Sequence, residues 1–235
     1  MENTKKIIIW PLFFCIFIIV SCNMTKNSDH YYNEQGVEIN MKNLINIKFN
    51  VYEGTDRNIY LLSEKIIRKI EQKEKITSEK VGFVLQDTIQ IINNDYKNIT
   101  QVIDINSYKE LDKNLLYWDK KNVYYNFKSD MSSYPYGILD LDPAKISILK
   151  GHFIKDEENI YSYGGISCER LKNVNLNSFY TKKFENLANG NDIYLAFDNK
   201  KVFHNADNLT LLDLEEIPIN KKSKDSIKNI YFPQN

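Results

Sequence analysis

Cysteine is nearly absent: the 235 residues hold three, at positions 15, 22 and 168. Three cysteines allow at most one intramolecular bridge. A disulfide framework is therefore excluded, and stability has to come from packing. Cys168 reads as a small half-buried strand residue rather than a reactive thiol. Charge of one sign is missing too: 31 basic and 31 acidic residues cancel. That excludes a nucleic-acid protein held by bulk charge. Glycine (8) and proline (5) are scarce, and hydrophobic residues reach 43%, so general disorder is excluded as well. Histidine occurs three times, as His30, His152 and His204, and none stands at ligand spacing from Cys or Asp. No glycine-rich nucleotide loop surrounds Gly164-Gly165, and no G-x-S-x-G is present. The sequence calls for no metal and no cofactor.

What is present begins at the N-terminus. Lys5 and Lys6 precede an apolar run from Ile7 to Val20, interrupted by Pro11 and too short for a comfortable membrane span. The run ends in Ile19-Val20-Ser21-Cys22, which resembles a bacterial lipobox. The resemblance implies removal of a signal peptide, residues 1–21, and lipidation of Cys22. Several acyl chains on one cysteine anchor a protein well beyond the marginal affinity of a single chain. The expected partner of this end is a membrane, and the expected location is the bacterial cell envelope. Asn23 rather than Asp follows the cysteine, which points to the outer membrane if the cell has one. Residues 22–43 are mostly polar and read as a tether.

From residue 44 to 103 the pattern is that of strands. Ile45, Ile47, Phe49 and Val51 alternate with Asn46, Lys48 and Asn50, the period of a half-buried strand. Residues 63–75 fit a short amphipathic helix through Ile66, Ile67 and Ile70, or a hairpin; the layout of the later units favours the hairpin. Val81–Leu85 and Thr88–Ile92 read as a further hairpin about Gln86-Asp87.

Residues 104–235 carry a repeat. Asp119-Lys120-Lys121-Asn122-Val123-Tyr124-Tyr125 is echoed by Asp156–Tyr161, by Asn189–Tyr194 and by Lys228–Tyr231, with a weaker copy at Asp56–Tyr60. Tyr124, Tyr161, Tyr194 and Tyr231 follow at intervals of 37, 33 and 37 residues, the range of a repeated supersecondary unit. Each unit opens on a helix N-cap type: Asp104, Asp142 (followed by Pro143), Asn175 and Asp207. An apolar residue stands four positions later, at Tyr108, Ile146, Phe179 and Leu211. The unit is therefore a short helix or turn, a strand, a turn and a return strand. Asp or Asn before a strand folds its side chain onto backbone amides, and Val-Tyr suits the pleated surface.

Tyr117–Tyr125, the Asp142-Pro143 segment and Phe153–Tyr161 together resemble the DKNYY family, whose members carry repeated D-K-N-x-V-Y-Y hairpins, often behind a lipoprotein signal. The likeness extends over about residues 104–232 and loosely over 49–92. It implies architecture and location, and it brings no catalytic residue. The expectation is a mainly β fold of consecutive antiparallel β-hairpin repeats with short helical turns between units.

Acidic pairs at Asp140/Asp142, Glu157/Glu158 and Glu215/Glu216 fall at turns, where capping explains them. Trp118, Tyr134, Tyr136, Tyr161 and Tyr163 cluster around neighbouring hairpins and form the candidate binding surface, for a glycan or a protein. The function expected is a non-enzymatic interaction module. An enzyme acting on cell-wall or surface glycans and a structural or assembly lipoprotein are the alternatives.

Overall fold

The computed structural model describes residues 31–33, 36–40, 44–71, 75–91, 95–127, 135–164 and 167–233. The expected signal peptide, Cys22 and Tyr134 lie outside the described residues. The fold is mainly β. Its first sheet contains β1 (Tyr31–Tyr32), β2 (Glu38–Ile39), β3 (Ile45–Lys48), β4 (Val51–Glu53), β5 (Ile59–Glu71) and β6 (Lys75–Gln86), in the order β2-β1-β6-β5-β4-β3. A hairpin, β7 (Thr88–Gln90) with β8 (Tyr96–Asn98), and one helical turn, α1 (Ile99–Val102), follow. The second sheet is the meander β9 (Lys109–Asp112), β10 (Leu116–Trp118), β11 (Val123–Asn126) and β12 (Tyr136–Leu139). A third meander has β13 (Ser147–Leu149), β14 (Phe153–Lys155), β15 (Ile160–Gly164) and β16 (Ser167–Arg170). The fourth has β17 (Tyr180–Glu185), β18 (Asp192–Phe197), β19 (Val202–His204) and β20 (Asp207–Asn208). Helices α2 (Leu211–Glu216) and α3 (Lys221–Tyr231) close the chain.

Strands β3 to β6 are themselves an antiparallel meander, so four units of one plan follow one another. In every unit the Asp-bearing turn joins the second strand to the third. The apolar residues form four clusters in series. Leu61, Tyr108, Tyr117, Tyr124 and Tyr136 fill the first, between units one and two. Leu116, Tyr125, Ile154 and Tyr163 fill the second, between units two and three. Phe153, Phe179, Ala196 and Phe203 fill the third. Phe184, Phe197, Leu214 and Ile227 fill the last, where the helices cover the outer face of unit four. Each sheet thus packs on its neighbours, as in stacked repeats. This explains why β11 is buried at all four positions. Tyr124 and Tyr125 point to opposite faces, and both faces are covered.

Several expectations are corrected. The alternating run from Ile45 to Val51 is broken at Phe49-Asn50 by a tight turn, and both Ile45 and Ile47 are exposed. The helix offered for residues 63–75 is absent: the favoured hairpin forms, with β5 running unbroken to Glu71 and pairing antiparallel with β6, which begins at Lys75. β7 pairs with β8 rather than folding back on β6, because Asp87 ends the long strand. Tyr31–Tyr32 and Glu38–Ile39, expected in the tether, are sheet strands; β1 lies parallel to β6, with Tyr31 and Phe83 rings 5.7 Å apart.

The third copy of the motif is displaced. Asn189-Gly190 lies in the β17–β18 hairpin turn, where Gly190 takes φ +71°. The equivalent turn is Asp198-Asn199-Lys200-Lys201, followed by Val202-Phe203. The fourth copy, Lys228–Tyr231, is helical, and Asp207 is a strand residue. The real cap is Thr210, which forms a capping box with Asp213. Apolar residues at helical spacing, such as Leu214, Ile217 and Ile227, turn toward unit four and replace a further sheet.

Candidate functional site

The motif aspartates Asp119, Asp156 and Asp198 are buried and hydrogen-bonded. Asp119 Oδ1 accepts the backbone N–H groups of Lys121 (2.7 Å) and Asn122 (2.8 Å). Its Oδ2 accepts the Asp104 N–H (2.7 Å) and the Tyr124 hydroxyl (2.7 Å). Asp156 accepts from Glu158 and Asn159 N–H with one oxygen and from Asp142 N–H with the other. Asp198 repeats this with Lys200, Lys201 and Asn175. One carboxylate therefore closes its own turn and clips the unit-opening residue 14 to 23 positions earlier. Ser107 and Ser178 each accept a further N–H from the residue after the aspartate, Lys120 and Asn199. In unit three the pair is Lys145 with Glu157, at 2.7 Å. Asp56 accepts from Asn58 N–H and the Tyr60 hydroxyl. The Tyr60 hydrogen bond lowers the Asp56 carboxyl, and burial, then Asp56, pushes the Tyr60 hydroxyl up to about 12. These carboxylates hold architecture together, Asp119, Asp156 and Asp198 from inside the fold and Asp56 from its surface.

The expected aromatic surface is largely interior. Tyr136 and Tyr163 are only 2% and 3% exposed. The Tyr136 hydroxyl donates to Leu62 O (2.7 Å), and that of Tyr163 to Asp112 Oδ2 (3.0 Å), each crossing to the preceding unit. Tyr125 reaches Ser167 O in the next unit. Trp118 and Tyr161 are half-buried at the edge of the second cluster, with Lys109 Nζ 5.9 Å from the Trp118 ring centroid. Stacked sheets need thick side chains on both faces, and tyrosine supplies an apolar ring with a hydroxyl that can find a carbonyl across the gap.

The other expected sites are structural as well. Asp140 faces Arg170, Asp142 accepts the Ala144 N–H, and Glu215 pairs with Lys228. Burial, then Glu169, pushes the Cys168 thiol up to about 12, which suppresses its thiolate. His152 packs edge-on against Tyr163, and burial lowers His204. Among the described residues no three His, Cys, Asp or Glu side chains converge as a metal site requires, and no helix is long and apolar enough to cross a membrane.

One groove has a different character. It lies between units one and two and encloses about 350 Å³. That is at the lower end of the range for small-ligand sites, about 300–1,000 Å³. Phe49, Tyr52 and Phe83 give it rings from unit one, and Tyr117 and Tyr136 from unit two. Glu64, Glu110, Asn50, Asn114 and Asn126 supply the polar lining. Glu110 accepts the Asn114 N–H (2.8 Å). Burial, then Glu110 itself, holds the Tyr117 hydroxyl well above its ordinary pKa. Asn50 Oδ1 accepts the Tyr108 hydroxyl (2.9 Å), while its buried Nδ2 makes no hydrogen bond. Phe49 carries the tight β3–β4 turn at φ +49°, a conformation unfavourable for a bulky residue, and stays 48% exposed. No local pattern marked this groove. Its walls come from residues 49 to 136, and the alternation around Phe49 imitates a continuous strand.

Comparison with protein-family models, curated proteins and solved structures finds no match for the chain.

Proposed function

We propose that the chain is a lipid-anchored bacterial envelope protein whose stacked β repeats form a non-enzymatic interaction module. The groove between units one and two carries this reading. Its rings and amides offer stacking surface and hydrogen bonds, while the motif aspartates are committed to turns. Lys5-Lys6, the apolar run and Ser21-Cys22 support the anchor. With β1 on the sheet, residues 22–30 join the cysteine to the fold. Such a segment spans about 30 Å at most, so the module would work near its membrane. The DKNYY resemblance fits Asp turns recurring at 56, 119, 156 and 198.

An enzyme of cell-wall or surface glycans is the second reading, since Glu64 and Glu110 share one groove and paired carboxylates serve glycoside hydrolysis. Against it, Glu110 is already engaged by Asn114. Two measurements test the proposal. Cys22→Ala should abolish metabolic lipid labelling and release the protein to the soluble fraction; persistent labelling refutes the anchor. Purified protein should leave peptidoglycan and surface glycans intact, and reproducible turnover abolished by Glu64→Gln would establish the enzymatic reading instead.

A further inference from the structure

The groove selects its occupant by charge, which sharpens the interaction reading on which this inference rests. Its described lining holds two carboxylates, Glu64 and Glu110, and no Lys, Arg or His. Glu64 is exposed, and no basic group among the described residues pairs with it. Glu110 meets neutral groups, accepting the Asn114 N–H and lying beside the Tyr117 hydroxyl. Within the described lining, then, two carboxylates stand without a counter-charge. An anionic ligand would meet like charge from both. An apolar ligand would cut them off from water and give nothing in return. A neutral polar ligand would leave the charge uncancelled. The rings select in the same direction. Phe49, Tyr52 and Phe83 each keep part of their surface accessible, and an aromatic face attracts a cation through its quadrupole. A divalent metal ion fits poorly, because it takes six or more oxygen ligands and no three His, Cys, Asp or Glu side chains converge among the described residues. An organic cation gains from both halves of the lining, its charge from the carboxylates and its carbon body from the rings.

We propose that the groove between units one and two binds an organic cation, an ammonium head on a carbon chain, with the head at Glu64 and the chain along Phe49, Tyr52 and Phe83. A free amine and the lysine side chain of a partner present this same chemistry. The carboxylates set the sign of the ligand and the rings supply contact area, the usual division in small-ligand sites.

The test is calorimetry on the full-length chain in a nonionic detergent. The probes are pentylammonium, an acetylated Gly-Lys-Gly amide peptide, and two chain-matched controls, neutral pentanol and anionic hexanoate. At least one of the two cations is expected to bind roughly tenfold or more tightly than pentanol, with hexanoate weakest. Whichever cation binds more tightly distinguishes a free amine from a partner's lysine as the source. Glu64→Gln and Phe49→Gly should each weaken that cation about threefold or more, and added salt should weaken it as well. Both positions are exposed, and glycine suits the left-handed turn, so the thermal midpoint should not fall by more than a few degrees. Pentanol binding as tightly as the cations, a preference for hexanoate, full affinity in both variants, or no binding of either cation overturns the proposal. The last result, combined with a protein captured by photo-crosslinking at position 49, would overturn the cation assignment while leaving the interaction reading intact.

Discussion

Removing the Asp119 carboxylate should be among the most damaging single changes in the chain. In Asp119→Ala four donors lose their acceptor: the N–H groups of Lys121, Asn122 and Asp104, and the Tyr124 hydroxyl. The Lys121 and Asn122 amides sit in a turn that water can reach after a small opening. The Tyr124 hydroxyl is held inside, with Tyr124 only 1% exposed, and the Asp104 amide is partly buried. Leaving a buried donor unpaired costs about 1–3 kcal/mol, so the two together predict a loss of about 2–6 kcal/mol. Domains are stable by about 5–15 kcal/mol, so the variant would be marginal. Asp119→Asn keeps one acceptor oxygen for the turn amides and turns an NH₂ toward Asp104, with an expected loss of about 1–3 kcal/mol. The same logic ranks Asp198→Ala as severe. Asn189→Ala should cost less than about 1 kcal/mol, because Asn189 is exposed and accepts only the Asn191 amide. Urea unfolding followed by circular dichroism measures all four, with the slope compared across variants to verify two-state behaviour. Equal losses for Asp198→Ala and Asn189→Ala would refute the assignment of the true turn, and an Asp119→Ala loss below about 1 kcal/mol would refute the clip.

Three other predictions rest on single residues. Gly151 takes φ +78°, and an added Cβ would come within 2.4 Å of Tyr194 Cβ in the next unit; Gly151→Ala should lose about 2–4 kcal/mol in the same unfolding assay. Cys168, with its thiol raised to about 12, should react with a disulfide reagent at pH 8 far more slowly in the native protein than in urea, and fast native labelling would contradict its burial. His204 has its pKa lowered by burial, so the unfolded chain binds a proton before the native one does. Stability should therefore fall as pH drops below about 6.5, and His204→Gln should flatten that fall.

Much of the architecture was legible because the turn chemistry is local. Asp119 and Asp156 show their role in four consecutive residues, and strand periodicity exposes the units around them. The third unit misled because Asn189-Gly190-Asn191-Asp192-Ile193-Tyr194 has the same local grammar, an Asx turn before a strand. Asp198 differs in a bond to Asn175, 23 residues away, which no window of sequence displays. The aromatic surface misled for a related reason. Alternation along β11 says that Tyr124 and Tyr125 face opposite ways, and it does not say that another sheet waits on each side. The helical end was masked by Lys-Asn-Ile-Tyr, whose strand-like ending sits on α3, where Ile227 provides the buried contact. The groove has no local signature at all, because it exists only where units one and two meet.

The most direct test of the account is photo-crosslinking in living cells, with the full chain carrying a benzophenone amino acid at position 49 or at position 187. Both sites are well exposed, Phe49 at the groove and Leu187 on the β17–β18 turn of unit four. The account predicts a discrete adduct with one envelope component from position 49 and none from position 187. Equal labelling at both positions, or none at 49, would contradict an interaction module working through this groove.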